Sequence, residues 1–445
     1  MKYKAYMKYK DSGVEWLGEV PEHWEVRPLK YVASVNDEVL PESTPPDWEL
    51  LYVDIGSVDR VEGITKKEPM IFENAPSRAR RLVSDGDTIV STVRTYLKAI
   101  APVQTPDPNM VVSTGFAVIR PRKIEPDYLS FLLRSDYFIE NVVSQSVGVS
   151  YPATNATEVV KIPIVQPHSD EQLNIATFLN RQTKRIDVLV SKKRALIEKL
   201  KEKRSALISR TVTRGLPPEA ARAAGLDPHP KLKPSGVEWL GDVPEHWGVK
   251  AIKWETPVQR GASPRPIDDP IYFDDEGEYA WVRISDVTSA GMYLRSTTQR
   301  LSELGTSLSV KLNPGEIFLS IAGSVGKPGI TAIKCCIHDG FVYFPKWKGD
   351  KRFLYYLFEC GEPYKGLGKL GTQLNLNTDT VGSIVAGFPP TNEQNFICDF
   401  LDQETTKIDQ LIARVETAIE KLQEYRTALI TAAVTGKIDV RETQA

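Results

Sequence analysis

Two long stretches of the chain carry apolar residues at alternating spacings of three and four, which is the pattern of a coiled-coil helix. The seam predicted for the second stretch consists of Ile408, Leu411, Val415, Leu422, Tyr425 and Leu429, with Ala418 and Ala432 completing the row. The first stretch shows the same pattern 222 residues earlier, and its apolar members are Ile186, Leu189, Leu196, Leu200 and Leu207. Lys193, Lys203 and Arg210 also fall on this first seam, so basic residues interrupt it.

The two predicted helices differ in charge. Residues 181–214 include 12 basic and 3 acidic side chains, whereas residues 393–436 include 4 basic and 8 acidic ones. Opposite charges beside an apolar seam favour packing of the two helices against each other. Antiparallel packing is expected if a two-fold axis relates the two halves of the chain, because that operation reverses the helix direction.

Short alternating segments fill the regions between the long helices, and they also occur twice. Residues 52–58 parallel residues 281–287, and the turn and strand at 85–91 parallel those at 314–320. A short helical segment follows in each half, at 128–138 and at 352–360. The expected fold class is α+β, with two similar α/β domains separated by two long helices packed as an antiparallel coiled coil and pseudo-two-fold symmetry overall.

The most faithful part of the repeat is a segment that opens each half. Residues 12–26 read SGVEWLGEVPEHWEV, and residues 235–249 read SGVEWLGDVPEHWGV. Its first copy holds five large apolar side chains, Val14, Trp16, Leu17, Val20 and Trp24, which favours core packing because tryptophan is usually buried. A docking patch for a partner is the alternative interpretation.

The repeat divides the chain into six segments. They are an N-terminal globular domain (1–166), a first long helix (167–215), a proline-rich linker (216–233), a C-terminal globular domain (234–390), a second long helix (391–436) and a C-terminal tail (437–445). The linker and its border hold five prolines between 217 and 234, which predicts a stiff extended connection.

Composition places the chain among globular proteins of more than one domain. It has 445 residues, 41% of them hydrophobic and 26% charged, with a formal net charge of −2. The N-terminal residues lack the apolar run of a signal peptide, and the sequence has no uninterrupted run of about 18 apolar residues. The four cysteines show neither a zinc-binding spacing nor a disulfide framework, so buried thiols in a soluble intracellular protein are expected.

These repeats resemble the specificity subunit of a type I restriction-modification enzyme. The resemblance rests on the duplicated SGVEWLG opening, on the long helices, and on the way each helix starts, with proline followed by Glu171-Gln172 or Glu393-Gln394. It covers nearly the whole chain, and the duplicated opening is its most specific part.

The resemblance implies separate roles for the globular halves, the long helices and the partner subunits. Each globular half would be a target recognition domain that reads a few base pairs of double-stranded DNA, and the helices would act as a ruler for the unread spacer. Two modification (methyltransferase) subunits would dock on the helical region, and restriction (endonuclease and translocase) subunits would join them in the cytoplasm. S-adenosylmethionine, ATP and magnesium are expected on these partners, and no cofactor or metal on this chain.

The residues themselves support the absence of catalysis. The sequence lacks the Asn/Asp-Pro-Pro-aromatic tetrad of amino-methyltransferases and a glycine-rich dinucleotide loop. The segment GSVGK at 323–327 lacks the first glycine of a phosphate-binding loop, and Pro328 replaces the Ser/Thr that would bind magnesium. His23 and His246 lie in the repeated opening segment, where turn packing explains them better than acid-base chemistry.

Candidate DNA contacts lie in loops that gather basic, amide and hydroxyl groups. In the first half they are Arg78, Arg80, Arg81, Arg94, Tyr96, Lys98, Ser146, Ser150 and Tyr151, with Arg120, Arg122 and Lys123 as a further group. In the second half they are Ser324, Lys327, Lys369, Gln373, Asn375 and Asn377, with Lys346, Lys348, Lys351 and Arg352 as a further group. Asparagine and glutamine can pair with adenine and arginine with guanine, while lysine often only neutralises phosphate. An ordinary solvated surface is the alternative for any one of them.

Two other classes of protein remain open at this point. One is a single-chain DNA-modifying enzyme with an unrecognised catalytic domain, and the other is a coiled-coil adaptor that does not bind DNA. The basic helix has two interpretations as well: its charge either follows the backbone of the spacer DNA or serves the acidic helix and the partner subunits. Lys193 and Lys203 on the seam favour the second.

Overall fold

The computed structural model describes residues 3–148, 151–365 and 376–441. The chain forms two compact units, of which the first combines Met1–Arg194 with Glu416–Ala445 and the second comprises Ala195–Val415. Both divisions fall inside long helices, so each unit holds one globular domain together with half of each long helix.

The first unit is built from short strands and three short helices, and the first long helix starts in it. The strands are β1 (Tyr9–Asp11), β2 (Glu19–Pro21), β3 (Glu25–Pro28), β4 (Ala33–Val35), β5 (Glu49–Val53), β6 (Val58–Asp59), β7 (Gly63–Ile64), β8 (Glu68–Ile71), β9 (Ala79–Leu82), β10 (Thr88–Ser91), β11 (Ile100–Pro102), β12 (Met110–Ser113), β13 (Phe116–Pro121) and β14 (Pro163–Gln166). The helices are α1 (Pro126–Leu133), α2 (Asp136–Ser144), α3 (Ala156–Val159) and the long α4 (Ser169–Arg214).

The second unit repeats this plan. Its helices are α5 (Pro218–Ala223), α6 (Ile284–Ala290), α7 (Glu303–Ser307), α8 (Lys351–Glu359), α9 (Thr378–Ser383) and the first half of the long α10 (Thr391–Val434). Its strands are β15 (Leu232–Pro234), β16 (Asp242–Pro244), β17 (Gly248–Ala251), β18 (Gln259–Arg260), β19 (Tyr279–Val282), β20 (Tyr293–Leu294), β21 (Gln299–Leu301), β22 (Val310–Leu312), β23 (Ile317–Ser320), β24 (Pro328–Thr331), β25 (Cys335–Ile337), β26 (Phe341–Tyr343) and β27 (Val385–Phe388).

Both globular domains contain two main sheets with the same pairing logic. In the first unit the strand orders are β11-β10-β13-β4 and β8-β5-β12-β9, and β12 runs parallel to β5. In the second unit the orders are β18-β26-β23-β24-β20 and β21-β19-β25-β22, and β25 runs parallel to β19. The repeat detected in the sequence is therefore a repeat of topology.

One central strand in each unit is buried on both faces, which explains its continuous apolar run. In β10, Val90 packs into the cluster that holds α1, whereas its neighbour Ile89 packs into a second cluster with Phe116. In β23 the same alternation places Leu319 and Phe318 in two different clusters.

The long helices pack in antiparallel orientation, as expected. In the first unit, Leu179 near the start of α4 shares a core with Leu429 near the end of α10. In the second unit, Ile208 near the end of α4 shares a core with Leu401 near the start of α10. Each unit thus joins opposite ends of the two helices.

The residues of the predicted seam fall into positions that are at least half-buried and positions that are exposed. Ile186, Ile408 and Leu429 are buried, and Leu200, Leu207, Val415 and Leu422 are half-buried. The prediction was wrong for Leu189, Leu196, Leu411 and Tyr425, which are 44–48% exposed. The residues one position later line the seam instead, and they are Val190, Ile197, Arg204, Ile412, Ile419 and Arg426. Successive seam residues can be spaced by four and then three residues, or by three and then four, with the same average periodicity. The apolar pattern alone therefore does not decide which of two adjacent residues faces the seam.

Two of these inward positions are arginines that occupy equivalent places in the repeat. Arg426 Nε lies 2.9 Å from Asp187 Oδ1 in the first unit, and Arg204 Nε lies 3.1 Å from Asp409 Oδ1 in the second. The same ion pair therefore joins α4 to α10 in each unit. Periodicity counted on apolar residues could not find these positions, because their side chains are charged.

The Glu-Gln pair at the start of each long helix connects it to its globular domain. Glu171 Oε2 lies 2.8 Å from His23 Nε2, and Glu393 Oε2 lies 2.8 Å from His246 Nε2. The side chain of the neighbouring glutamine accepts a hydrogen bond from the backbone N–H of the residue that caps a short helix earlier in the chain. Gln172 accepts from Glu125 before α1 at 2.8 Å, and Gln394 accepts from Asp350 before α8 at 3.0 Å. The prediction that the repeated histidines serve packing agrees with these contacts.

The repeated opening segment is largely core, with one exception. Trp24, Trp247 and Val20 are buried, as expected from the sequence. Trp16 is not a core residue, because 65% of it is exposed.

The linker is less extended than its prolines predicted. Pro218 begins α5, since proline is tolerated in the first turn of a helix, and Ala221 of this helix is buried.

The cysteines are reduced and buried, as expected. Cys335, Cys336, Cys360 and Cys398 form no disulfide. Burial raises the pKa of the Cys335 thiol to about 11 and that of Cys336 to about 12, which keeps both protonated at neutral pH. Among the described residues there is no cluster of side chains arranged to hold a metal ion. No helix in the described ranges combines the length and apolarity needed to cross a bilayer.

Candidate nucleic-acid interface

Two of the predicted DNA-contact loops in the first unit form one surface. Thr95 Oγ1 donates a hydrogen bond of 2.8 Å to Ser146 Oγ, and the backbone N–H of Thr154 donates one of 2.8 Å to the carbonyl of Thr92. Val93 also forms a β-bridge with Ala153. We call residues 92–98, 146–148 and 151–154 the paired loops.

The paired loops present aromatic and basic side chains to solvent. The guanidinium carbon of Arg94 lies 5.1 Å from the centre of the Tyr151 ring, in a cation–π contact. Tyr151 is 66% exposed and Tyr96 is 53% exposed. Such side chains can stack on bases and contact their edges, and arginine has the geometry to bind guanine.

The conformation of the turn explains why these side chains point outward. Residues 95–97 form a 3-10 turn, and the flanking residues Arg94 and Lys98 have φ of 51° and 52°. Left-handed conformations at residues other than glycine cost energy and cluster at functional sites. Tyr96 is the middle residue of this turn, and its side chain is exposed.

The predicted cluster of three arginines is not a single exposed patch. Arg80 and Arg81 are successive residues of β9, so they face opposite sides of the sheet. Arg80 lies over the Phe72 ring at 4.7 Å, and Arg81 has a buried Nε without a hydrogen-bond partner among the described residues. Burial lowers the pKa of Arg81. Only Arg78 of this group is an exposed side chain.

The three arginines of the further basic groups form ion pairs inside their own units. Nε and Nη2 of Arg120 each donate a 2.9 Å hydrogen bond to the carboxylate of Asp87, and these bonds raise the pKa of the arginine. Arg122 pairs with Asp37 at 2.5 Å. In the second unit, hydrogen bonds to Asp350 and to two other carboxylates raise the pKa of Arg352. These arginines build the domains and are poor candidates for DNA contact.

In the second unit, Ser324 and Lys327 lie on an exposed turn after β23. The Ser320 hydroxyl donates to the carbonyl of Ser324 and accepts from the backbone N–H of Lys327 at 3.0 Å, so one side chain holds the turn closed. Lys327 Nζ lies 3.9 Å from Glu359 Oε2 and stays half exposed. The GSVGK segment is thus a turn between two strands that is held by the side chain of Ser320. The strand β24 follows it, whereas a phosphate-binding loop is followed by a helix.

Asn377 has a structural role. Its side-chain oxygen accepts from the backbone N–H of Thr380 at 2.8 Å and caps α9, just as Asn155 caps α3 in the first unit. The predicted residues Ser150, Lys369, Gln373 and Asn375 lie outside the described residues.

Arg283 is an exposed residue that was not among the candidates from the sequence. This exposed arginine directly follows β19, and its neighbour Ile284 packs against Gly323 of the turn that carries Ser324. The signal was its place at the end of a repeated strand, where the first unit has Asp54. A change from acidic to basic at equivalent places marks a surface on which the two units differ.

Comparisons with known proteins agree with this architecture. Residues 259–421 match the family model of the type I restriction modification DNA specificity domain. A putative type I restriction enzyme MjaX specificity subunit from Methanocaldococcus jannaschii is 24% identical over 96% of each chain. The HindI specificity subunit from Haemophilus influenzae is 22% identical over 82% of this chain and 89% of its own length.

Solved structures with the same fold include two that cover almost the whole chain. One comes from a study of complex assembly and conformational transition of the type I R-M system, with a TM-score of 0.67, 23% identity and coverage of 93% of this chain and 98% of that one. The other is the HsdS subunit from Thermoanaerobacter tengcongensis, with a TM-score of 0.52, 23% identity and coverage of 94% and 98%.

The fold is therefore that of these two solved chains, and the α+β class expected from the sequence is confirmed. The match to the family model lies almost entirely within the second unit. The resemblance of the whole chain to type I specificity subunits is likewise confirmed. The relatives are named as specificity subunits, in agreement with the expectation that this chain is not an enzyme itself.

Proposed function

We propose that the protein is the non-catalytic DNA-recognition subunit of a type I restriction-modification complex, and that each globular domain reads one part of a bipartite double-stranded target. One observation carries the proposal: the two units share their topology and their attachment to the helices, while their exposed loops differ in chemistry. Two domains with the same topology but different exposed loops are suited to bind two DNA half-sites of different sequence.

We infer the contact residues from exposure and from the lack of an internal role. In the first unit they are Arg78, Arg94, Tyr96, Lys98 and Tyr151. Ser146 stays in the proposal on sequence grounds, although its hydroxyl also holds the paired loops together. In the second unit they are Arg283, Ser324 and Lys327, and Ser150, Lys369, Gln373 and Asn375 stay in the proposal on sequence grounds. We leave out Arg80, Arg81 and Asn377, because each has a packing or capping role.

The long helices set the length of the unread spacer in this proposal. A helix of 46 residues spans ~69 Å. Several basic residues of α4 already have acidic partners, among them Arg194 with Glu62 at 2.7 Å and Arg204 with Asp409. Part of the charge of this helix therefore serves the protein itself, which supports a role in docking rather than contact with the spacer DNA.

The proposed partners are two modification subunits and the restriction subunits that join them. S-adenosylmethionine, ATP and magnesium belong to those subunits, and this chain is proposed to need no cofactor of its own. The complex would act in the cytoplasm, where the host chromosome and incoming DNA are found.

Methylome sequencing of the source cell, with and without the gene for this chain, tests the proposal. The expected result is a bipartite motif of two short methylated elements around an unread spacer, which disappears when the gene is removed. A continuous motif, or no change, would contradict it.

Two measurements on purified protein separate the other classes. Binding of S-adenosylmethionine, or methylation or cleavage of DNA by the isolated chain, would favour a single-chain enzyme. Failure of the chain to bind duplex DNA in any combination with the modification subunit would favour an adaptor.

A further inference from the structure

Two equivalent short helices, one in each unit, end with side chains of opposite charge. The helices α1 and α8 are equivalent because the residue that caps each of them donates its backbone N–H to the glutamine at the start of a long helix. These caps are Glu125 and Asp350. Counted from them, Arg134 of the first unit corresponds to Glu359 of the second.

In the second unit this carboxylate belongs to a balanced group of charges. Glu359 Oε1 lies 3.5 Å from Arg204 Nη1, and its Oε2 lies 3.9 Å from Lys327 Nζ. Arg204 also pairs with Asp409. Two basic side chains are therefore matched by two carboxylates.

The first unit lacks the second carboxylate of this group. Arg426 keeps its partner Asp187, but Arg134 stands where the other unit has glutamate. Arg134 donates a 3.2 Å hydrogen bond from Nε to the carbonyl of Ser130, and its guanidinium carbon lies 4.7 Å from the centre of the Phe131 ring. Among the described residues, its two Nη atoms have no hydrogen-bond partner and its charge has no carboxylate within an ion-pair distance.

The surroundings of Arg134 favour a negatively charged ligand. Burial and the positive charge of Arg426 lower the pKa of Arg134 to about 10, partly opposed by Asp127 and Asp187. The guanidinium therefore stays charged at neutral pH. A half-buried charge without a counter-ion is costly, so an anion that pairs with it gains free energy.

Space for such an anion lies beside this arginine. Arg134 lines a cavity of about 270 Å³ in the first unit, together with Arg60 and Lys67. Glu62 is the only acidic side chain among the described residues that line it, and its carboxylate pairs with Arg194 at 2.7 Å. Arg60 and Lys67 each have a carboxylate partner, so the unbalanced positive charge is that of Arg134. We call this space the arginine cavity.

We propose that the arginine cavity binds the phosphate group of a small anion, either inorganic phosphate or a mononucleotide. The free Nη atoms of Arg134 would donate hydrogen bonds to the phosphate oxygens, which is the chemistry for which the guanidinium group is best suited. The anion would supply in the first unit the negative charge that Glu359 supplies in the second.

The rest of the wall explains why both sources of phosphate fit. The volume is at the lower end of the range for small-molecule sites, which suits a ligand of this size. Ile100 and Met110 form part of an apolar wall, against which the base of a nucleotide would pack. The chemistry that both ligands share is the phosphate group paired with Arg134.

Calorimetric titration of the purified chain tests the inference, first with inorganic phosphate and separately with adenosine monophosphate, both at constant ionic strength. The unchanged chain should bind one anion. Arg134→Glu places the side chain of the second unit beside Arg426, so it should preserve the fold, and it should raise the Kd at least about 10-fold because charge-assisted hydrogen bonds are lost. A nucleotide that binds at least about 10-fold more tightly than phosphate would identify a nucleotide site, and similar Kd values would identify a site for free phosphate.

Arg122→Gln is the matched control. It removes an arginine of the same unit that does not line the cavity, so its Kd should equal that of the unchanged chain. Thermal unfolding gives a second readout. Phosphate at about 100 times its Kd should raise the Tm of both proteins by about 3 °C, and that of Arg134→Glu should not rise.

Three outcomes would overturn the inference. The first is no saturable binding of either anion at millimolar concentrations, and the second is an unchanged Kd for Arg134→Glu. The third is displacement of bound phosphate by duplex DNA in the assembled complex, since the cavity would then hold the DNA backbone. If Arg134→Glu does not fold, Lys67→Gln replaces it, because this side chain is 38% exposed; it should raise the Kd about threefold, and an unchanged Kd would contradict the site.

Discussion

At the scale of single residues, the arginines separate into those that build a domain and those that face solvent. Arg120 and Arg352 are held by carboxylates within their own unit, whereas Arg94 has a cation–π contact with Tyr151 and no ion pair among the described residues. All three looked alike in the sequence. The difference arises from carboxylates that come close only in the fold, such as Asp87 against Arg120.

Substitution of Arg94 should change sequence choice, and substitution of Lys98 should not. Arg94→Ala removes the group able to pair with a base edge, which should reduce discrimination in the first element of the target by about 10-fold or more. Lys98→Ala removes a phosphate-neutralising charge and should weaken binding to all sequences similarly, with a smaller salt slope. Binding of the complex to a randomised duplex library at several salt concentrations measures both effects.

The assignment would be contradicted if Arg94→Ala kept the original discrimination. It would also be contradicted if Lys98→Ala altered the preferred bases.

Protonation of His338 should lower the stability of the second unit at acidic pH. Burial next to Trp281 and Phe341 lowers the pKa of His338, partly opposed by Asp339, and its Nδ1 accepts a 2.9 Å hydrogen bond from the N–H of Gly340. The unfolded chain takes up this proton near pH ~6.5 and the folded chain only at lower pH. The free energy of unfolding should therefore fall as the pH drops below ~6.5 towards the folded pKa, by about 1.4 kcal/mol for each unit of difference in pKa.

His338→Gln removes the titrating group and should flatten this part of the stability profile. Urea unfolding of both proteins between pH 5 and 8 measures the difference, and parallel profiles would contradict the expectation.

At the scale of secondary-structure elements, the ion pair between α4 and α10 occurs in both units but differs in burial. The side chain of Arg426 is 9% exposed, whereas that of Arg204 is 25% exposed and also lies 3.5 Å from Glu359. Removal of its carboxylate would leave Arg426 buried without a charge partner, which costs more than loss of an exposed pair.

Asp187→Ala should accordingly destabilise the protein by about 1–3 kcal/mol. Asp409→Ala is the matched control and should cost less, because Arg204 keeps Glu359 and contact with solvent. Thermal unfolding of the two variants compares them directly. An equal or larger loss for Asp409→Ala would show that burial of the arginine does not decide the cost.

At the scale of the whole molecule, the two ends of the chain meet within the first unit. The Tyr9 hydroxyl donates a 3.0 Å hydrogen bond to the carbonyl of Gly436, and Lys4 forms a β-bridge with Asp439. The first unit is thus completed by the last part of the chain, whereas the second unit is continuous in sequence.

If the long helices set the spacer length, a change in their length should change the number of base pairs in the spacer and leave both half-sites unchanged. Insertion of one heptad into each long helix, after Arg194 and after Val415, would lengthen both by ~10.5 Å and keep the seam in register. The spacer should grow by about three base pairs at 3.4 Å each, with both methylated elements unchanged. Methylome sequencing of cells carrying the variant reads spacer and elements together.

A four-residue insertion at the same places is the control, because it shifts the seam and should destabilise the protein instead. New half-sites in the heptad variant would contradict the ruler role.

The sequence by itself determined the repeat, the two long helices, their opposite charge and their antiparallel packing. These features rest on local periodicity and on comparison of the chain with itself, so they need no knowledge of distant contacts. Only the tertiary structure decided that Arg426 rather than Tyr425 faces the seam, and that Arg120 is a structural residue while Arg94 is exposed. Burial and ion pairing depend on groups that are far apart in the chain, such as Asp187 and Arg426. Such groups come into contact only when the chain is folded.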